Sequence, residues 1–433
     1  MKISFPRFNN RYATVTMICM SVQVGKIKTI PIRLHFTLII VFFLLTWTLA
    51  SRLMPELYPG LSISSYWLMG AVGAIILFAS VLLHELAHSL VALRYGLRVR
   101  QIILFIFGGV SEIDEEESSK DFRKEFNIAI VGPVTSFVIS ALLAIVWLGL
   151  LSLANDGGGG DSNLSLPRLN ADNSSDETLN IIVGILYYGA FINLLLGVFN
   201  LIPAFPLDGG RILRSALLRW RKDYDQATKI ASKIGIAISY GIMGLGFIIL
   251  IGGSFISGIW LLFIGWFLNS GAQSYLAQHE LTTLLSNVRL GNIMNTRVIA
   301  VTPDTTIDKL IHEYFNIYSK DSFPVVDSGN HVIGMITFKD AWNVPVSKRD
   351  TIKAKDIMIN KSNIIIMNQD RTADEALMQM TRKRISKVFI CDRDGRLIAL
   401  VSKTDIMNAA SERKEFTEAI RRLGRDKMGI ESN

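Results

Sequence analysis

The chain has 433 residues, half of them hydrophobic, and a mean hydropathy of +0.36. That is too apolar for a wholly soluble protein and too long for one ordinary domain, so a membrane part and a separate soluble part are expected. The two cysteines, Cys19 and Cys391, lie far apart, which excludes a disulfide framework and a cysteine-based metal cluster; the net charge of +8 sits largely in short loops between apolar runs and requires no nucleic acid.

Residues 1–30 read as a basic cytoplasmic leader, because the stretch YATVTMICMSV is weakly apolar and lacks a small-residue cleavage pattern. Six runs then approach or exceed the roughly 20 apolar residues that cross a bilayer: about 34–50, 66–93, 126–154, 179–202, 231–252 and 254–273. Cations crowd alternate loops. Lys26, Lys28 and Arg33 precede the first run; Arg94, Arg98, Arg100, Lys120, Arg123 and Lys124 follow the second; Arg211, Arg214, Arg219, Arg221 and Lys222 follow the fourth. The other loops carry only Arg52 and Arg168, so the positive-inside rule places both termini in the cytoplasm. The Gly/Ser/Asn-rich loop 155–178 reads as a flexible external linker.

The second run contains SVLLHELAHSLVAL, with His84, Glu85 and His88 about ten residues from its cytoplasmic end, or roughly 15 Å at 1.5 Å per residue. Residues four apart share a helix face, so His84 and His88 can offer ring nitrogens to one metal ion, with Glu85 turned toward a water there. Zinc suits such ligands, and Glu85 is the expected general base. The plainer alternative, hydrogen-bonded helix residues, must explain three costly groups at membrane depth at once.

The segment LRVRQIILFIFGGVSEI is too short to span and reads as a hairpin turning at Gly108-Gly109, whose edge is open to strand addition by a substrate over 99–107. The acidic run EIDEEE (112–117) reads as a solvated loop. At the end of the fourth run, in FNLIPAFPLDGGRILRS, Pro203 and Pro206 stop the helix and Asp208 follows directly. Non-helical backbone at membrane depth belongs in a protein-lined or wet site, which makes Asp208 the candidate third ligand; a simple turn at the membrane edge is the alternative. Asn200 can offer an amide to a substrate carbonyl.

After a polar boundary near 276–292 the composition becomes mixed and charged. DSFPVVDSGNHVIGMITFKD and SKVFICDRDGRLIALVSKTD align at a constant offset of 65, each reading strand, turn, strand, helix, preceded by the helix-like runs TIDKLIHEYFNIY and TADEALMQMTRKR. Two such units are expected to pack as a pseudo-symmetric pair.

HELAH in one span and NLIPAFPLDGG in a later one resemble the site-2 protease family of intramembrane zinc proteases over about residues 25–275. That resemblance implies zinc on His84, His88 and Asp208, Glu85 as general base, and Asn200 as a substrate-positioning residue. FGGVSE and IAIVGPVTSFV are weaker echoes of the family; at Ser136 some members carry Asn. The C-terminal repeat resembles a tandem CBS domain, a module that often binds adenine nucleotides. This implies that Thr337, Asp340, Ser402 and Asp405 face a ribose, although Ala399 replaces the glycine found at Gly334.

The expected architecture is therefore a polytopic α-helical membrane protein with a soluble α/β tandem CBS domain. Its divisions are 1–30 leader, 31–275 protease, 276–287 linker, 288–411 CBS pair and 412–433 charged tail. The expected partners are a transmembrane protein substrate, membrane lipid, an adenine nucleotide and a second copy joined through the CBS pair. The other reading is a CBS-regulated channel or transporter, in which the intramembrane His, Glu and Asp line an ion path.

Overall fold

A computed structural model describes residues 21–106, 108–113, 121–155, 174–383 and 385–427. Residues 1–20, most of the loop expected to be external (156–173) and the acidic residues 114–117 lie outside the described residues. The chain divides into two compact units, Met1–Leu276 and Ala277–Asn433.

The helices are α1 (Thr37–Leu57), α2 (Ile63–Arg94), α3 (Phe122–Asn155), α4 (Ser174–Asn200), the short α5 (Asp208–Arg221), α6 (Tyr224–Ile251) and α7 (Phe255–Leu285). Among the described residues, six of these, all but α5, are long and apolar enough to cross a membrane, which makes this a multi-pass membrane protein. Their outer faces stay apolar although nothing in the protein covers them: Phe43 and Trp47 on α1, Ile145 on α3, Ile248 on α6 and Trp260 on α7 are all exposed, as lipid-facing side chains should be. Ser62 caps α2 by accepting the Ser65 N–H, and Glu177 of α4 accepts from the Ser65 hydroxyl at 2.7 Å, tying those two helix ends together.

Residues 21–30, expected to be plain leader, instead supply most of a β-hairpin. β1 (Ser21–Ile27) and β2 (Ile30–His35) join β3 (Val99–Phe105) and β4 (Gly108–Ile113) in a sheet of order β1-β2-β3-β4, with β2 and β3 parallel and the outer pairs antiparallel. The predicted hairpin is therefore β3–β4, and Gly108 turns it at φ +121°, a backbone region that L side chains avoid. β3 is an interior strand, so the proposed edge over 99–107 is not available; the open edge on that side is β4. Ile30, Val99, Ile102 and Leu104 of the sheet pack against Val81 and Ala92 of α2 and Ile128 of α3, which seats the sheet on the two helices that carry the site.

In the second unit the strands are β5 (Ser322–Val326), β6 (Val332–Thr337), β7 (Ile359–Asn360), β8 (Ile366–Met367), β9 (Lys387–Cys391) and β10 (Leu397–Ser402), with α8 (Phe338–Trp342), α9 (Ala373–Lys383) and α10 (Lys403–Lys427). The offset of 65 reappears in the ladders. Ser322 opposes Thr337 as Lys387 opposes Ser402, and Val325 opposes Gly334 as Ile390 opposes Ala399. The lead-in segments cross over: Asn360 pairs with Gly334 of the first repeat while Asn295 pairs with Leu400 of the second. Val326, Val332 and Met335 share one apolar cluster with Ile364, Phe389 and Cys391, so the pseudo-symmetric pair has a common core. Two boundaries differ from expectation. α7 extends to Leu285 through most of the expected linker, and α10 carries the expected tail on as helix to Lys427.

Candidate metal centre

α2 puts His84 and His88 one turn apart on its inward face, 3% and 4% exposed, with ring centroids 4.9 Å apart. Asp208 arrives from the other side. Residues 201–207, which include Pro203 and Pro206, are non-helical, and Asp208 is the first residue of α5, preceded by Leu207 in an extended conformation (ψ 161°). Gly210 lets this loop fold closely, since a Cβ there would stand 2.6 Å from the Phe205 nitrogen. Asp208 Oδ2 lies 3.0 Å from His84 Nε2 and 3.1 Å from His88 Nε2, and one ligand atom from each residue falls within 4.8 Å of the others.

The far side of each ring is held. His88 Nδ1 lies 2.5 Å from the Ile128 carbonyl oxygen, and His84 Nδ1 lies 2.9 Å from Ser136 Oγ, both on α3. A carbonyl oxygen only accepts, so His88 Nδ1 must carry the hydrogen and its Nε2 presents a lone pair to a carboxylate oxygen. Two facing lone pairs at 3.1 Å need a cation between them or a proton. With bonds of about 2.0 Å, neighbouring donors of a tetrahedral zinc stand about 3.3 Å apart, close to the observed separations. Room for the ion is provided by α3: a Cβ on Gly132 would come 2.6 Å from His84 Nε2 and would also strike His88 Nε2. The donor set, the tautomer and the space all fit zinc.

Glu85, next in sequence to His84, is half-buried and leans toward the sheet. Ser111 of β4 donates its hydroxyl to Glu85 Oε2 at 2.7 Å, and Gly109 of the same strand packs directly on the Glu85 side chain. Asn200, the last residue of α4, donates its amide to the Leu196 carbonyl at 3.0 Å, so the structure brings His84, His88 and Asp208 together and leaves Asn200 bonded within its own helix. In the second unit, Thr337 donates its hydroxyl to Asp340 (2.6 Å) and caps α8, and Ser402 does the same for Asp405 (2.7 Å) at the start of α10. Both pairs have the geometry of helix N-caps. Ser111 lies in the family echo FGGVSE, and Ile128 and Gly132 lie in the echo IAIVGPVTSFV, but what each of them touches is found only through the fold. Ser136 lies in the same echo, IAIVGPVTSFV.

Comparison with known proteins adds a separate line. Residues 72–242 match the model described as Peptidase family M50, and residues 290–341 and 354–412 match the CBS domain. The zinc metalloprotease MJ0392 of Methanocaldococcus jannaschii is 32% identical over 90% of this chain and 96% of its own length. Rip3 of Mycobacterium tuberculosis is 30% identical over 89% of this chain and 92% of its own. The solved site-2 protease from M. jannaschii shares 35% identity over 59% of this chain and 95% of that one, with a TM-score of 0.37.

Proposed function

The chain belongs to peptidase family M50, the zinc metalloproteases of the site-2 type, and carries a tandem CBS domain; from that premise we propose that it hydrolyses peptide bonds inside the membrane-spanning helices of other proteins. The observation that carries this reading is the convergence of His84 Nε2 and His88 Nε2, on a helix long and apolar enough to cross a membrane, with Asp208 Oδ2 at the start of α5. Zinc bound there supplies a Lewis acid that polarises the scissile carbonyl and makes water acidic enough to react near neutral pH.

The remaining work falls to the chain's own residues. The Ile128 carbonyl holds His88 in the tautomer and orientation that a metal requires, and Ser136 holds the orientation of His84. Glu85 accepts the proton of the attacking water at its carboxylate and returns it to the leaving amine, with Ser111 fixing the carboxylate rotamer. Asn200, freed from the Leu196 carbonyl by rotation of its amide, donates to a substrate carbonyl. A target helix hides its peptide bonds, so it must unwind before attack, and the open edge of β4 beside Glu85 offers the hydrogen-bonding partner for the extended segment.

The loop cations support a cytoplasmic CBS pair, and with that orientation cleavage falls in the inner half of the substrate span. The hydroxyl–carboxylate pairs Thr337–Asp340 and Ser402–Asp405 serve as ribose contacts for an adenine nucleotide that regulates the protease. A Glu85→Gln variant tests the catalytic assignment: it should keep about one zinc per chain and lose cleavage of a transmembrane substrate. A wild-type protein without zinc that conducts ions would overturn it in favour of a channel.

A further inference from the structure

Arg214 sits in a loop-like stretch of charges by sequence, yet it is 1% exposed and paired with Glu125, which is also 1% exposed. The guanidinium places Nε and Nη2 on Glu125 Oε1, and Nη1 donates to the hydroxyls of Tyr224 and Tyr275. Its faces are covered by the rings of Tyr224, Tyr275 and Phe205, with centroids 4.9, 5.3 and 5.4 Å from Cζ. Two charges taken this far from water cost several kcal/mol each unless their geometry is exact, so such a pair is a poor choice for stability alone.

What it connects gives it a purpose. Arg214 lies on α5 six residues after Asp208, roughly 9 Å along the helix axis. Glu125 lies on α3, one turn before Ile128 and three turns before Ser136, the residues that hold His88 and His84. Phe205, stacked on Tyr275 at 3.9 Å, belongs to the loop that delivers Asp208. We propose that the Glu125–Arg214 pair sets the axial position and rotation of α5 against α3, so that all three metal ligands are referenced to one helix. Arg214 and Glu125 are thus positioning residues of the metal centre, and this rests on the reading of His84, His88 and Asp208 as its ligands. A metal tolerates errors of only about 0.2 Å in ligand placement, which explains a fixed, planar cation held by two nitrogens on Glu125 Oε1 and by two tyrosine hydroxyls, where an apolar contact would let α5 slide.

The test is a chelator-competition titration of zinc on the full-length protein in detergent, alongside thermal unfolding of the zinc-free form. Arg214→Lys keeps the charge and loses the fork; its zinc affinity should fall about tenfold, the usual effect of disturbing the groups behind metal ligands. The double variant Glu125→Leu, Arg214→Met removes both charges and should fold at least as well as wild type, since buried pairs exchange neutrally for apolar groups. Its zinc affinity should nevertheless stay down about tenfold. Recovery of affinity together with folding in the double variant, to within threefold of wild type, would show an anchor for stability only and overturn the inference. Wild-type protein that binds no zinc would instead sink the ligand assignment itself, and this inference with it.

Discussion

Adding one methyl group at Gly132 should empty the metal centre while leaving the protein folded. An alanine Cβ there would lie 2.6 Å from His84 Nε2 and 2.5 Å from His88 Cε1, where carbon contacts normally relax to about 3.5–4.0 Å. Each ring must therefore retreat by roughly 1 Å, several times the tolerance of a zinc ligand. Neither ring can swing away freely, since Ser136 and Ile128 hold their other nitrogens. Disturbing only the partners of zinc ligands costs about 10–100-fold in affinity, so displacing the ligands should cost at least about 100-fold, or about 2.7 kcal/mol. Alanine in place of glycine inside a helix favours folding by about 1 kcal/mol, which offsets part of the roughly 1–3 kcal/mol that crowding the two rings costs, so the zinc-free variant should stay folded and melt only slightly below wild-type apoprotein. Competition titration with a chelator and paired melts with and without zinc separate the two effects. Zinc affinity within threefold of wild type would refute the placement of the ion beside Gly132.

Three further outcomes follow from the same geometry. Ser111→Ala removes the hydroxyl on Glu85 and should lower kcat about tenfold with zinc content and KM unchanged; an equal fall in zinc content would point to collapse of β4 instead. In the CBS pair, Lys387 is buried and donates to Asp321, Ser322 Oγ (2.8 Å) and the Ser322 carbonyl, bridging the repeats. Burial pushes the Asp321 carboxyl up, but the Lys387 ammonium outweighs it and holds the group below the usual carboxylate range. A depressed folded value contributes stability above the unfolded pKa of about 3.9 that is lost as pH falls through the folded one. Lys387→Met should therefore cost about 1 kcal/mol near pH 7, seen as a lower Tm, with the deficit shrinking below about pH 4; a deficit independent of pH would assign the effect to packing. Adenine nucleotides titrated calorimetrically into the full chain should bind, and Asp340→Ala or Asp405→Ala should each weaken one site without altering zinc; wild-type protein that takes up neither AMP nor ATP at millimolar concentration would leave the two pairs as helix caps alone.

What the sequence reveals depends on whether the signal is local. HELAH is legible because its four-residue spacing and the cost of charge in lipid act on one helix, and Asp208 because two prolines break the span beside it. The repeat is legible from its offset of 65, which the strand registers reproduce. β1 left little trace: its side chains are mostly exposed on both faces, Val22 at 70%, so no buried alternation marks it, and β2 shows its pattern only once Ile30 and Ile32 meet the sheet. Arg214 counts as a loop cation by position, and only the approach of Glu125 from a distant helix reveals a buried pair. Gly132 and Ser111 lie in stretches that echo the family, but what stands opposite each of them is tertiary information.

The central claim is that the bond cut lies within a membrane span, and mapping products in liposomes tests it most directly. The full-length protein, reconstituted with a labelled single-span substrate and analysed by mass spectrometry, should yield zinc-dependent cleavage inside the apolar stretch, in its cytoplasmic half, abolished in Glu85→Gln. Scissile bonds confined to the soluble flanks, or cleavage that persists in Glu85→Gln, would contradict the account.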